Sequence, residues 1–253
     1  MARTFAIAAF AAALLLPSLA SAADGSIKIK FKLDGAAPTP AKLKIDKDAA
    51  FCGPKGLVDE SIKVGKDGAL QNIVVYMYVA PGKKAPESAA AVAALPKEVK
   101  MDNLGCRFEP RVVAFHTSQK LVVGNPDPIG HNTKGDLFSN GSFNELIPAG
   151  GMLTKSFAKG ENRPMPVSCS IHPWMNGYIL IRDNPYFGVS DENGVVTIAN
   201  VPEGKHTFTV WQEKVGFVTK GKQGGKDVAW KLGRMEVNVK GDTDLGEFAL
   251  PIK

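Results

Sequence analysis

Residues 167–181 read Val-Ser-Cys-Ser-Ile-His-Pro-Trp-Met-Asn-Gly-Tyr-Ile-Leu-Ile and hold the densest group of metal-competent side chains in the chain. Within them Cys169, His172 and Met175 follow the spacing Cys-x2-His-x2-Met. That spacing puts a thiol, an imidazole and a thioether on one tight loop between two strands. A thiolate and an imidazole with a weak thioether nearby suit a copper ion that cycles between Cu(I) and Cu(II). Such a site is built on a trigonal His2Cys plane, so a second imidazole has to come from elsewhere. His131 is the candidate, in Asn125-Pro126-Asp127-Pro128-Ile129-Gly130-His131-Asn132, directly after an apolar run from Leu121 to Val123. A strand leading into a Pro/Gly loop presents a side chain at one end of a sandwich, as the Cys169 loop does. The two close on one metal if the strands 121–123 and 178–181 belong to one fold. Zinc also accepts one Cys and two His, but a placed Met favours copper. The plain alternatives are a solvated His131, a loop His172 ahead of Pro173, and Met175 as core filling.

These residues need strands to hold them, and the chain is rich in strand patterns. Ser26-Ile27-Lys28-Ile29-Lys30-Phe31-Lys32-Leu33 alternates strictly, with its lysines on a solvated face. Short apolar or alternating runs recur at 73–79, 112–115, 178–181, 195–199, 206–211, 235–239 and 248–252. Turn dipeptides such as Asp34-Gly35, Asp67-Gly68, Asn140-Gly141 and Lys240-Gly241 separate them. Many short strands at near-regular spacing predict an all-β protein made of β-sandwiches. The exception is Glu87 to Leu95, Ala-rich between Pro86 and Pro96, which predicts one short surface helix. A boundary is expected near Asn184-Pro185, giving a sandwich with an N-terminal β extension over 23–183 and a small sandwich over 184–253. Gly221 to Gly225 reads as a flexible basic loop in the latter. His116 and His206 read as structural or surface residues, and Trp211 and Trp230 as core.

The first 22 residues set the compartment. Met-Ala-Arg-Thr precedes an apolar run from Phe5 to Leu16, and the segment ends Ala20-Ser21-Ala22. This is the pattern of a signal peptide cleaved after Ala22, with an apolar run too short to span a bilayer. Residues 1–22 are therefore read as a signal peptide, and the mature protein as periplasmic or secreted, with no membrane span. The chain has 253 residues, 44% of them hydrophobic and 22% charged, which excludes a disordered polyelectrolyte. Its net charge of +6 falls to +5 without Arg3, too small and too evenly spread for a nucleic-acid binder. Nucleotide-binding loops, Gly-x-Ser-x-Gly and His-Glu-x-x-His are missing from the sequence, and four His are too few for a multicopper enzyme. In an oxidising compartment two of the three cysteines Cys52, Cys106 and Cys169 can pair, and the spacing alone does not choose which.

Taken together, Cys-x2-His-Pro-aromatic-Met, a following Gly and β-branched strand, and the upstream pair His131-Asn132 resemble the ligand segments of the cupredoxins. The short loop is most similar to that of the amicyanin type. The resemblance spans roughly residues 105–183. It implies a Greek-key β-sandwich holding one type 1 copper, with His131, Cys169 and His172 as equatorial ligands and Met175 as the weak axial one. It also implies that Asn132 steadies the Cys loop through Ser170, and that backbone N–H groups donate to the Cys169 sulfur. A one-electron carrier is then expected, not an enzyme, with an exposed edge of His172 beside Pro173 as docking patch and Trp174 shielding the site. Its partner would be a redox protein such as a dehydrogenase or a c-type cytochrome. The alternative is a copper-binding, storage or structural interaction protein with no electron-transfer role. With Cys169 read as a ligand, the preferred disulfide is Cys52–Cys106, which ties the N-terminal stretch to the sandwich. Cys169 paired with either of the others is the competing reading. Residues 187–211 are similar to the carboxypeptidase regulatory-like, transthyretin-type sandwiches.

Overall fold

A computed structural model describes residues 24–86 and 88–253, so the expected signal peptide lies outside the described residues. The fold is built almost wholly of strands, as the alternation predicts. The expected helix is one short turn, Ala89–Ala93, capped by the Ser88 hydroxyl accepting from the Ala91 N–H at 3.0 Å.

The middle of the chain forms a sandwich of two sheets. One has the strand order Val112–His116, Asn176–Arg182, Met165–Ser168, His131–Leu137, Gly141–Ile147. The other has Met152–Lys155, Lys120–Gly124, Glu98–Lys100. Their facing side chains, among them Val113, Phe115, Leu121, Val123, Leu137, Val167, Ile179 and Ile181, make one buried apolar core. Cys169 and Met175 belong to the same core, at its edge with the loops. The strands 120–124 and 176–182 thus share one sandwich, the condition for His131 and Cys169 to meet.

The two ends of the chain together make a second sandwich. Gly25–Leu33 pairs antiparallel with Val195–Val201 and parallel with Thr243–Leu250. Val74–Met77 pairs with both Phe187–Val189 and Gly204–Gln212. Ile27, Ile29 and Phe31 are buried against Val196, Ile198, Phe208, Val210 and Phe248, while Lys28 points to solvent. The boundary expected near 184 is therefore corrected. The C-terminal sandwich takes strands 25–33 and 74–77 from ahead of the middle sandwich. The apolar face of strand 25–33 packs on Val75 and Met77 of strand 74–77 together with Phe208 and Val210 from after 184, and burying that face decides its place.

The two sandwiches meet face to face. Val74, Tyr76 and Trp211 pack on Val112 and Leu180, and the Tyr178 and Trp211 rings lie 4.9 Å apart. Arg111 clamps Glu213 through two hydrogen bonds of 2.8 and 3.0 Å. Arg182, buried, donates to the carbonyls of Glu161 at 2.9 Å and Met77 at 3.1 Å, so it ties both sandwiches together. His116 and His206 bond locally, to Ser118 and to the Pro202 carbonyl, in keeping with structural roles. Trp211 and Trp230 are buried.

Candidate metal centre

The Cys169 loop is shaped by its own backbone. Strand Met165–Ser168 delivers Cys169, and its N–H donates to the Met175 carbonyl at 3.2 Å, closing the loop before strand Asn176–Arg182. Inside it the Met175 N–H donates to the His172 carbonyl at 2.9 Å. His172 is held on the inner side of a seven-residue turn whose ends are locked by sheet pairing at Ser168 and Asn176.

His131 opens the strand His131–Leu137 and is paired with Ile147. The Pro/Gly loop before it is pinned by the buried Asn125. Its side-chain amide donates to the carbonyls of Ile129 and Ile147 at 2.8 and 2.9 Å. His131 and His172 are both fully buried, and Cys169 is 2% exposed.

The sulfur of Cys169 and one nitrogen each of His131 and His172 all lie within 4.8 Å of one another. The His131 and His172 Nδ1 atoms are 2.9 Å apart, and Cys169 Sγ is 3.7 Å from His172 Nδ1. Each imidazole is anchored by its other nitrogen. His131 Nε2 lies 3.0 Å from Asp127 Oδ2, and His172 Nε2 lies 2.7 Å from Asp48 Oδ2. A carboxylate only accepts, so each Nε2 carries the proton and donates it. Both Nδ1 lone pairs are then aimed at one point beside a thiol. Two acceptors at 2.9 Å need a cation or an extra proton between them. Burial pushes the His131 imidazole below its ordinary value, against the pull of Asp127, so its neutral, ligand-competent form is favoured.

Asn132 braces this arrangement. Its side-chain oxygen accepts from the Ser170 N–H at 2.7 Å and the Ile171 N–H at 3.2 Å. Its amide nitrogen reaches Asn144 Oδ1, and the Ser170 hydroxyl at 3.4 Å. Its own backbone N–H donates to Cys169 Sγ at 3.4 Å. Trp174 lies against His172, with ring centroids 5.1 Å apart, and its indole N–H donates to the Cys106 carbonyl at 3.1 Å. Met175 is buried in the core that holds Cys169.

Cys52 and Cys106 form a disulfide, leaving Cys169 as the one free cysteine among the described residues. The Cys106, Asp127 and His131 side chains also converge, but the Cys106 sulfur is spent in the disulfide and offers no thiolate. Asp127 instead accepts from the backbone N–H groups of Gly105 and Cys106 at 2.7 and 2.8 Å.

Two features of the centre are not visible in the motif. Asp127 stood in the quoted loop four residues ahead of His131, a spacing that could have suggested the contact. Asp48 lies 124 residues before His172 and has no local signal at all. The second corrects an expectation: the edge of His172 is covered by Asp48 and offers no exposed docking patch.

No protein family and no curated protein matches the chain. Among solved structures, it is similar to a reduced variant of amicyanin, with 14% identity over 37% of this chain and 90% of that one, TM-score 0.32. A copper-containing nitrite reductase from Thermus scotoductus SA-01 aligns with 24% identity over 42% of this chain and 25% of its own, TM-score 0.32. A purple cupredoxin from Nitrosopumilus maritimus aligns with 18% identity over 32% of this chain and 97% of its own, TM-score 0.27. Among the described residues no helix is long and apolar enough to cross a membrane.

Proposed function

We propose that this chain is an exported protein with one type 1 copper, held by His131, Cys169 and His172 with Met175 as the weak axial ligand, and that it carries single electrons. The observation that carries the reading is the pair of Nδ1 atoms 2.9 Å apart beside a thiol, with both Nε2 atoms already given to carboxylates. The donor set fits copper: two imidazoles and a soft sulfur, with a thioether residue in the same buried core. Copper bound there would supply a one-electron couple between Cu(I) and Cu(II). The protein's part is to fix the ligands. Asp127 and Asp48 set the tautomers, Asn132 holds the Cys loop, and the Asn132 N–H donates to the sulfur. A rigid ligand set lets both oxidation states share nearly one geometry. The leader-like residues 1–22 and the buried disulfide suit a periplasmic or secreted protein. The partner on this reading is a redox protein such as a dehydrogenase or a c-type cytochrome.

One observation favours the second reading, a copper-binding or storage protein: the His172 edge is fully covered, so the usual short route for electrons is closed. Voltammetry of the copper-loaded protein separates the two. A carrier gives a reversible one-electron wave at one copper per chain and oxidises or reduces a small c-type cytochrome rapidly. Copper uptake without such a wave supports storage and overturns the carrier.

A further inference from the structure

Asp48 is joined to the candidate centre by a closed circuit. Its carboxylate holds His172 Nε2 at 2.7 Å. Its carbonyl accepts from the N–H groups of Phe51 and Cys52, both at 2.9 Å, so the turn Ala49–Cys52 is built on it. Cys52 is bonded to Cys106, whose N–H donates to Asp127, and Asp127 holds His131. Asp48 sits at φ 45°, in the left-handed region that a residue with a side chain enters only at a cost. The surroundings keep it there. Leu43, Ile45, Phe51 and Leu57 pack around the buried disulfide together with Ile129 and Trp174. The ends of the segment are tied where the Leu43 N–H meets the Leu57 carbonyl at 3.1 Å and the Asp59 N–H meets the Ala41 carbonyl at 2.8 Å.

From this geometry we infer that residues 41–59 are a fixed cap over the outer face of the centre, and that Asp48 is the positioning residue that orients His172 through it. The inference rests on the reading of His131, Cys169 and His172 as metal ligands. Its content is separate: the ligand imidazole is held from outside by a carboxylate on a remote, disulfide-anchored segment. The carboxylate fixes the proton on Nε2 and turns Nδ1 inward. The cap also covers the Nε2 edge of His172. A partner must therefore dock elsewhere on the surface.

The test uses the full chain and its Asp48→Ala and Asp48→Asn variants. Nitrogen-15 NMR of the metal-free protein reads the His172 tautomer. The wild type is expected to hold its proton on Nε2. Asp48→Ala loses that preference, while Asp48→Asn, whose side-chain oxygen can still accept, retains it. With copper, Asp48→Ala is expected to bind about 10–100-fold more weakly. An unchanged tautomer and affinity in Asp48→Ala overturn the inference. A wild type that takes up no copper overturns the ligand reading instead, and the tautomer measurement still decides the role of Asp48.

Discussion

Removing the disulfide by the double change Cys52→Ser, Cys106→Ser tests both stability and the cap. The bridge joins residues 54 positions apart. In the chain-entropy model, closing a loop of that length restricts the unfolded chain by about 4 kcal/mol. The bridge lies fully buried in an apolar cluster of Leu43, Ile45, Phe51, Leu57 and Trp174. With a urea dependence of about 2–3 kcal/mol per molar, the midpoint of unfolding falls by about 1.3–2 M. Equilibrium unfolding followed by tryptophan fluorescence measures it, since Trp174 donates to the Cys106 carbonyl and reports on the bridge. Hydrogen exchange gives the spatial part: the amides of Phe51 and Cys52, bonded to the Asp48 carbonyl, lose protection before the strands do. A midpoint shift below about 0.3 M, with those two amides still protected, would refute the reasoning. It would mean that packing and the Asp48–His172 bond hold the segment without the bridge.

Three further outcomes follow from other parts of the fold. Arg111→Ala strips the partner from Glu213, a carboxyl whose affinity for its proton burial already raises. It is expected to cost about 3–5 kcal/mol in urea unfolding, and the paired change to Met at both positions about nothing. Tyr76 is pushed up to about 12 from 10.0 by burial. The unfolded chain gives up that proton first, so this contribution is full below pH 10 and is lost as pH rises to about 12. It amounts to about 2–3 kcal/mol in alkaline unfolding, and Tyr76→Phe removes that contribution. Gly194 sits at φ +74°, and an added Cβ would lie 2.2 Å from the Phe31 carbonyl oxygen. Gly194→Ala is therefore expected to destabilise by more than about 1 kcal/mol and to loosen strand 25–33 in hydrogen exchange.

The sequence is informative where the determinants are local. Cys169, His172 and Met175 sit within one turn, so their spacing already states what one loop can hold. The Asn132 brace was legible as a neighbour of His131, although its backbone contacts to Ser170 and Ile171 depend on how the Cys loop folds. The alternation of Ile27, Ile29 and Phe31 with lysines marks a strand with one buried face. It does not say which strands pair with it, and the answer, residues 195–201 and 243–250, lies more than 160 positions away. Strand pairing depends on which apolar faces complement one another in space, so the boundary near 184 could not be read from turn signals. Asp48 was missed for the same reason. In the chain it is one acid in Lys47-Asp48-Ala49, and the Cys52–Cys106 disulfide with the packing of its segment carries it to His172.

The central claim is that Cys169 and two imidazoles form one copper centre. Titration of the reduced protein with Cu(II), followed by visible absorption with Cys169→Ser as control, tests it most directly. An intense thiolate-to-copper charge-transfer band that saturates at one equivalent in the wild type, and is missing in the control, is expected. A wild type that shows no such band while thiol counting finds Cys169 free and reduced would contradict the claim.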